Sequence, residues 1–281
     1  MSLTGKARVA GVMGWPVGHS RSPALHGHWL ARYRIDGTYV PMPVEPAGLA
    51  QALKALPVLG FRGANLTIPH KEAALAHVDR VEEGARRIGA INTVVVEDGR
   101  LLGSNSDGYG FMSHLCQAAP AWRAPGTAAA VLGAGGAARS ALAMLLDAGV
   151  ERVFLLNRTE DRAAVLAKLF GTKVTVRPWA ERAGCLADVA LLVNTTSLGM
   201  AGQPALDLAL DRLPTGAVVY DIVYVPLETP LLRAARARGL HAVDGLGMLL
   251  HQARPGFKAW FGVDPEVTPD LHAAIAATIP S

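Results

Sequence analysis

The chain has 281 residues, 51% hydrophobic and 18% charged, with a formal net charge of +4. That length and balance supply core material for two ordinary domains and exclude a disordered or low-complexity chain. The basic residues are scattered, with no stripe interleaved with aromatics, so nucleic-acid binding is not expected and small anionic ligands are.

The first predicted strand covers residues 6–13. A turn, Gly18-His19-Ser20-Arg21-Ser22-Pro23, leads to a helix from about Ser22, with Ser22 as N-cap and Pro23 in the first helical position. Strand 38–44, helix 48–56 and strand 63–68 follow. A helix is expected to start at Lys71, and 90–96 with 100–103 form a hairpin across Glu97-Asp98-Gly99. A second unit opens near Asp107 with a helix at 109–118. Strand 128–132, a glycine loop, a helix to 148 and strand 153–156 make a βαβ unit. Strands at 173–176, 189–193 and 218–222 continue the alternation, and helical segments return from Gly245. The pattern is α/β, with a doubly wound nucleotide-binding half.

Cys116 and Cys185 share no metal-type spacing and read as free thiols in a reducing cytosol. The nine histidines include no H-E-x-x-H or Cys/His pairing, so no metal is expected. No apolar signal core follows the N-terminus, and the longest apolar stretch, 127–150, is broken by Arg139 and Asp147. Neither a leader nor a membrane partner is expected, which leaves the cytoplasm.

Gly133-Ala134-Gly135-Gly136-Ala137-Ala138 satisfies G-x-G-x-x-A between strand and helix. The first glycine permits the tight turn, the second admits a pyrophosphate to the backbone, and the third small residue lets helix and strand pack. The next strand ends in Asn157-Arg158-Thr159, with Arg162 beyond, and no acid stands at its tip. Two guanidiniums and a hydroxyl suit a 2′-phosphate, hence NADP rather than NAD. Alternatively, Arg158 and Arg162 are solvated helix-start residues offset by Glu160 and Asp161.

Lys71 follows a strand end, where α/β proteins bind ligands. Asn65 and Thr67 alternate with apolar Leu66 and Ile68 and so share a face. In a partly buried site a lysine can serve as general acid or base; a lysine is more commonly a solvated cation. Asp107 can orient Lys71 or bind a substrate hydroxyl, or it caps the following helix. Ser20 and Ser22 together suit a carboxylate, whereas N-capping by Ser22 leaves Ser20 unexplained. No Tyr-x-x-x-Lys occurs, which argues against short-chain dehydrogenase chemistry.

These segments together resemble the shikimate dehydrogenase family along nearly the whole chain. The matches include 14–23, 65–71, Gly89-Ala90-Ile91-Asn92-Thr93, Asn105-Ser106-Asp107-Gly108, the glycine loop and Asn157-Arg158-Thr159. They continue through 194–200, 221–226, 245–249 and Gln252-Ala253. The resemblance implies NADP-dependent, reversible reduction of 3-dehydroshikimate to shikimate in aromatic amino-acid biosynthesis. By motif position Ser20 and Ser22 hold the carboxylate with Tyr224 nearby. Thr67, Asn92, Asp107 and Gln252 bind ring hydroxyls, and Lys71 transfers the proton with Asp107. Residues 133–137 (Gly133, Ala134, Gly135, Gly136, Ala137) and Asn157, Arg158, Thr159 and Arg162 bind the cofactor. Ile222 and Gly245 lie by its nicotinamide end. The implied fold has a substrate domain at 1–106 plus 246–281 and an NADP-binding Rossmann domain at 107–245, with a cleft between them, in a monomer or homodimer.

Ser106 departs conservatively from the family's usual threonine, and His70 discriminates little. Three other readings stay open: an NAD-using quinate/shikimate dehydrogenase, an aminoshikimate enzyme, and a non-catalytic NADP-binding sensor. A methylene-tetrahydrofolate dehydrogenase-like enzyme shares the architecture but has no need of the Ser20/Ser22 turn.

Overall fold

The apolar run from Val9 to Met13 forms the middle of β1 (Arg8–Gly14), the strand around which the first unit is built. The computed structural model describes residues 3–280. The chain divides into a first unit, running up to Asp107 and taking in Leu249–Thr278, and a second unit, Gly108–Met248.

In the first unit α1 (Ser22–Arg32), β2 (Gly37–Pro43), α2 (Leu49–Val58) and β3 (Phe61–Leu66) follow β1. Then come β4 (Arg80–Val81), α3 (Glu83–Ile88), β5 (Thr93–Glu97) and β6 (Arg100–Ser104). The sheet order is β2-β1-β3-β5-β6-β4. β1 runs parallel to both neighbours, while β5 is antiparallel to β3 and β6.

Strand alternation sorts the residues onto two faces. Met13, Ala64 and Leu66 face the core that α2 fills with Leu49, Leu53 and Leu56. Ala10, Tyr39, Asn65 and Thr93 fall on the other face by register. There Tyr39 joins an aromatic cluster of His26, Trp29, Phe257 and Trp260. Phe257 and Trp260 come from a helix near the chain's end, so this core needs both segments. The buried indoles are satisfied: Trp29 Nε1 donates to Glu266 O and Trp260 Nε1 to Val94 O.

In the second unit the elements are α4 (Asp107–Ala118), β7 (Ala128–Leu132), α5 (Gly136–Asp147), β8 (Arg152–Leu156), α6 (Glu160–Phe170) and β9 (Val174–Arg177). β10 (Leu191–Asn194), β11 (Val218–Asp221), α7 (Pro230–Ala237) and β12 (His241–Val243) complete it. All six strands are parallel, in the order β12-β11-β10-β7-β8-β9. β7 and β10 are buried along their whole length, as central parallel strands must be. The order reverses between them, which opens a ligand crevice at their carboxyl ends. The chain returns to the first unit through α8 (Leu246–Phe261), followed by α9 (Pro269–Ala276), whose N-cap Thr268 accepts from Leu271 N.

Several local expectations change. The N-cap of α1 is Arg21, and Ser22 is already helical. α4 starts at Asp107, not Tyr109, so Asp107 occupies the first turn instead of capping it. Lys71 lies in a turn, and only Ala73–Ala76 form a short 3-10 helix.

His26 is fully buried, stacked on Tyr39 at 3.9 Å, and neither ring nitrogen has a partner among the described residues. Burial holds its pKa down at about 3, against the ordinary 6.5. The folded value lies below the unfolded one, so its stabilising contribution is complete above about pH 6.5 and is lost as pH falls toward 3. His26→Phe keeps the stack and removes the titration. Urea unfolding at pH 7 and pH 4 should show the variant gaining about 3 kcal/mol on wild type over that interval. A constant difference between the two pH values refutes the assignment.

Candidate active site

The carboxyl ends of β1, β3 and β6 and the amino end of β5 share one edge of the first sheet. Polar side chains collect at that edge. Lys71 Nζ donates to Asp107 Oδ2 at 2.5 Å, with side chains 25% and 9% exposed. Asn92 Nδ2 donates to Asp107 Oδ1 at 2.8 Å and to Gln252 Oε1 at 3.2 Å. Asn92 Oδ1 accepts from Ser106 N at 2.8 Å and Thr93 Oγ1 at 2.9 Å. Asn105 Oδ1 accepts from Asp107 N at 3.0 Å and so sets the entry to α4. Both carboxylate oxygens of Asp107 are therefore occupied and its orientation is fixed, while Lys71 stays reachable by a ligand.

Behind this layer Asn65 Nδ2 donates to Asn92 O at 2.9 Å and Asn65 Oδ1 accepts from Tyr39 OH at 2.7 Å. Ser20 and Ser22 meet directly, since Ser20 Oγ accepts from Ser22 N at 3.3 Å. That bond explains Ser20, which helix capping by Ser22 does not. The hydroxyl-bearing turn sits at the positive end of the α1 dipole, suited to a carboxylate. Thr67 lies at the tip of β3, where its N donates to Met13 O at 2.9 Å.

In the second unit Gly133 takes φ +108°, which favours glycine, and a Cβ there would stand 2.6 Å from Thr195 Oγ1. Ala134 and Ala137 are half-buried beside it, and Ala138 is fully buried where α5 meets the sheet. At Gly135 and Gly136 an added Cβ would meet nothing within 4 Å, so the backbone there is open to a large group. The N-terminus of α5 has no side-chain cap, and its N–H groups remain available to an anion. This cradle fits a dinucleotide pyrophosphate.

At the tip of β8 Asn157 Nδ2 donates to Thr159 O at 2.8 Å, which shapes the turn. Arg158 and Arg162 are exposed and form no ion pair among the described residues, so Glu160 and Asp161 do not neutralise them by contact. Two unpaired guanidiniums at this tip favour an extra phosphate.

At the far side of the crevice a Cβ on Gly245 would fall 2.0 Å from Ile222 O, so that loop and β11 meet closely only without a side chain. Asp221 is fully buried and accepts from Asn194 Nδ2, Val223 N and Thr229 Oγ1 at 2.9, 3.1 and 2.7 Å. Burial pushes its pKa up to about 6 against the lowering effect of those bonds. Folding therefore favours its protonated form, and this contribution to stability grows as pH falls from about 6 toward 4. Tyr224 is half-buried three residues further on.

Three family models match the chain in order. The shikimate dehydrogenase substrate binding domain matches residues 12–94, shikimate / quinate 5-dehydrogenase matches 121–201, and the shikimate 5'-dehydrogenase C-terminal domain matches 245–275. The shikimate dehydrogenase (NADP(+)) of Rhodospirillum rubrum is 60% identical, covering 97% of this chain and 98% of that protein. The chain belongs to the shikimate dehydrogenase family.

Another member, the shikimate dehydrogenase (NADP(+)) of Paramagnetospirillum magneticum, is 58% identical over 97% of this chain and 99% of its own length. The crystal structure of shikimate 5-dehydrogenase from Thermus thermophilus, in complex with NADP(H) and shikimate, is 39% identical with a TM-score of 0.86. It covers 97% of this chain and 100% of that one.

Within this shikimate dehydrogenase family member, hydrogen bonds bring Lys71, Asp107, Asn92 and Gln252 together, and Ser20 with Ser22. Thr67 lies at the same sheet edge. Tyr224, Ile222, Gly245, the glycine loop and Arg158 belong to the second unit. Sequence reading assigned no part to Thr93, Tyr39, Thr229 or Asn194. Asn194 and Thr93 sit inside segments noticed for their resemblance, but nothing in residue order pairs Asn194 with Asp221 or Asn65 with Thr93. No helix among the described residues is long and apolar enough to cross a membrane.

Proposed function

We propose that the chain catalyses the NADP-dependent, reversible reduction of 3-dehydroshikimate to shikimate in the cytoplasm, with the substrate on the first unit and the cofactor on the second. The observation that carries the chemistry is the Lys71–Asp107 pair, because carbonyl reduction needs a proton donor beside the oxygen that becomes the alcohol. NADPH supplies the hydride to the carbonyl carbon. Lys71 gives its proton to the carbonyl oxygen and, in the reverse direction, takes it back from the alcohol. Asp107 orients the ammonium and accepts from a ring hydroxyl. Asn92, Gln252 and Thr67 hold further hydroxyls, and Ser20 and Ser22 donate to the carboxylate with Tyr224.

The cofactor's pyrophosphate rests on residues 133–137 at the open face of Gly135 and Gly136. Asn157, Arg158, Thr159 and Arg162 receive the 2′-phosphate, and Ile222 and Gly245 border the nicotinamide. The NAD-using quinate branch is not favoured: no acid stands at the β8 tip, and the relatives at 60% and 58% identity carry NADP(+) in their names.

The test pairs purified protein with shikimate or quinate and with NADP or NAD, and follows nicotinamide reduction. Turnover confined to shikimate with NADP is the expected result. Strong turnover of quinate or use of NAD overturns it in favour of the quinate branch, and tight NADP binding without turnover leaves a sensor. The Arg158→Ala variant should raise KM for NADP about tenfold or more while leaving KM for NAD nearly constant, because one charge-assisted phosphate contact is lost. Equal effects on both cofactors would remove Arg158 from the phosphate site.

A further inference from the structure

We propose that His70 is a positioning residue for Lys71, acting as the tether that holds the lysine's turn against the end of the first sheet. The inference rests on the proposed dehydrogenase reading. His70 is a polar side chain only 1% exposed, yet the site described above does not use it. Its Nε2 lies 2.8 Å from Val44 O; a carbonyl only accepts, so Nε2 carries the hydrogen. Val44 in turn donates its N–H to Gly14 O at 3.1 Å. One residue, Val44, just past the end of β2, therefore joins the end of β1 to the residue preceding Lys71.

The surrounding backbone leaves the turn little other freedom. His70 N donates to Thr67 O, His70 O accepts from Ala74 N, and Lys71 O accepts from Ile91 N. A Cβ on Gly14 would stand 2.4 Å from Thr67 Cγ2, so the β1 end and the β3 tip already touch. These bonds hold Lys71's backbone from the β5 side, and at the start of the turn Ile68 O accepts from Trp15 N at 3.1 Å, just past the end of β1. The imidazole is the side-chain link from that turn to Val44, the residue that follows β2. Without it the turn loses its anchor on the β2 side, and a displacement of about 1 Å at a catalytic group can cost up to 10²-fold in rate.

Three variants separate tethering from filling space. His70→Phe fills the volume without a donor, His70→Gln places an amide N–H near the Nε2 position, and His70→Asn is too short to reach Val44 O. In the shikimate/NADP assay His70→Phe and His70→Asn should lose about tenfold in kcat with KM for NADP within twofold of wild type, and His70→Gln should recover to within threefold. The Lys71 Nζ resonance in 15N-lysine NMR, assigned with Lys71→Arg, should move in Phe and Asn and return in Gln. A kcat within twofold of wild type for Phe or Asn, or a Gln variant no better than these, overturns the proposal. If Phe does not fold, the Asn/Gln comparison decides it. If wild type itself fails to turn over shikimate, the functional reading falls, and the Lys71 resonance alone decides the tether.

Discussion

Lys71→Ala lowers kcat by about 10²–10⁴ while substrate binding changes far less, as expected when a general acid/base is removed. The structure sharpens this expectation. Lys71 is a quarter exposed at the side chain, and its ammonium is aimed by Asp107 Oδ2 at 2.5 Å. The carboxylate does not depend on the lysine for its own placement, since Asn92 holds Oδ1 and Asn105 holds the Asp107 N–H. Truncating Lys71 therefore removes the proton carrier and leaves the hydroxyl-binding groups in position. Steady-state kinetics in both directions give kcat and KM separately. A kcat within tenfold of wild type would transfer the proton role to another group or to water.

Asn92→Leu is the second large expected effect, and it combines stability with activity. Asn92 is 2% exposed and joins Asp107, Ser106, Thr93 and Gln252. Leucine is close in size but leaves the buried Ser106 N–H and one Asp107 oxygen without that partner. Each buried polar group deprived of its bond costs about 1–3 kcal/mol. A total loss of about 3–5 kcal/mol in urea unfolding follows, with kcat/KM for shikimate down by about 10²–10³. The glycine loop and Arg158 belong to the other unit, so NADP binding followed by fluorescence should stay within threefold. A fall of less than tenfold in kcat/KM would show that Asp107 keeps its aim without Asn92.

How much of this was readable in residue order follows from the range of the interactions. The glycine loop and the arginine tip each depend on a few consecutive residues between strand and helix, and both stand where the pattern put them. Lys71 was singled out by type and by its place after a strand end, and Asp107 as a carboxylate where the second unit opens; their side chains meet. Two of the local mistakes are at caps. Ser20 Oγ takes the Ser22 N–H, and Asn105 Oδ1 takes the Asp107 N–H. Each shifts a helix start by one or two residues, where side-chain bonds compete with ordinary capping. The layer behind the site was invisible for a different reason. Asn65 faces Thr93 only because β3 and β5 pair antiparallel, and Thr229 reaches Asp221 only because the chain folds back after β11. Those partners are decided by register and tertiary packing, which hydrophobic periodicity does not encode.

The boundaries between the two units fall inside helices, between Asp107 and Gly108 in α4 and between Met248 and Leu249 in α8. About 140 residues separate the two parts of the first unit. On the ribosome its sheet strands are complete long before Phe257 and Trp260 exist to cover His26, Trp29 and Tyr39. At about 5–20 residues per second that interval lasts roughly 7–28 s. The body of the second unit, Gly108–Met248, is continuous in the chain and can close first. The nascent first sheet must wait with one aromatic face bare, exposed to chaperones and to other chains, until the last helices emerge.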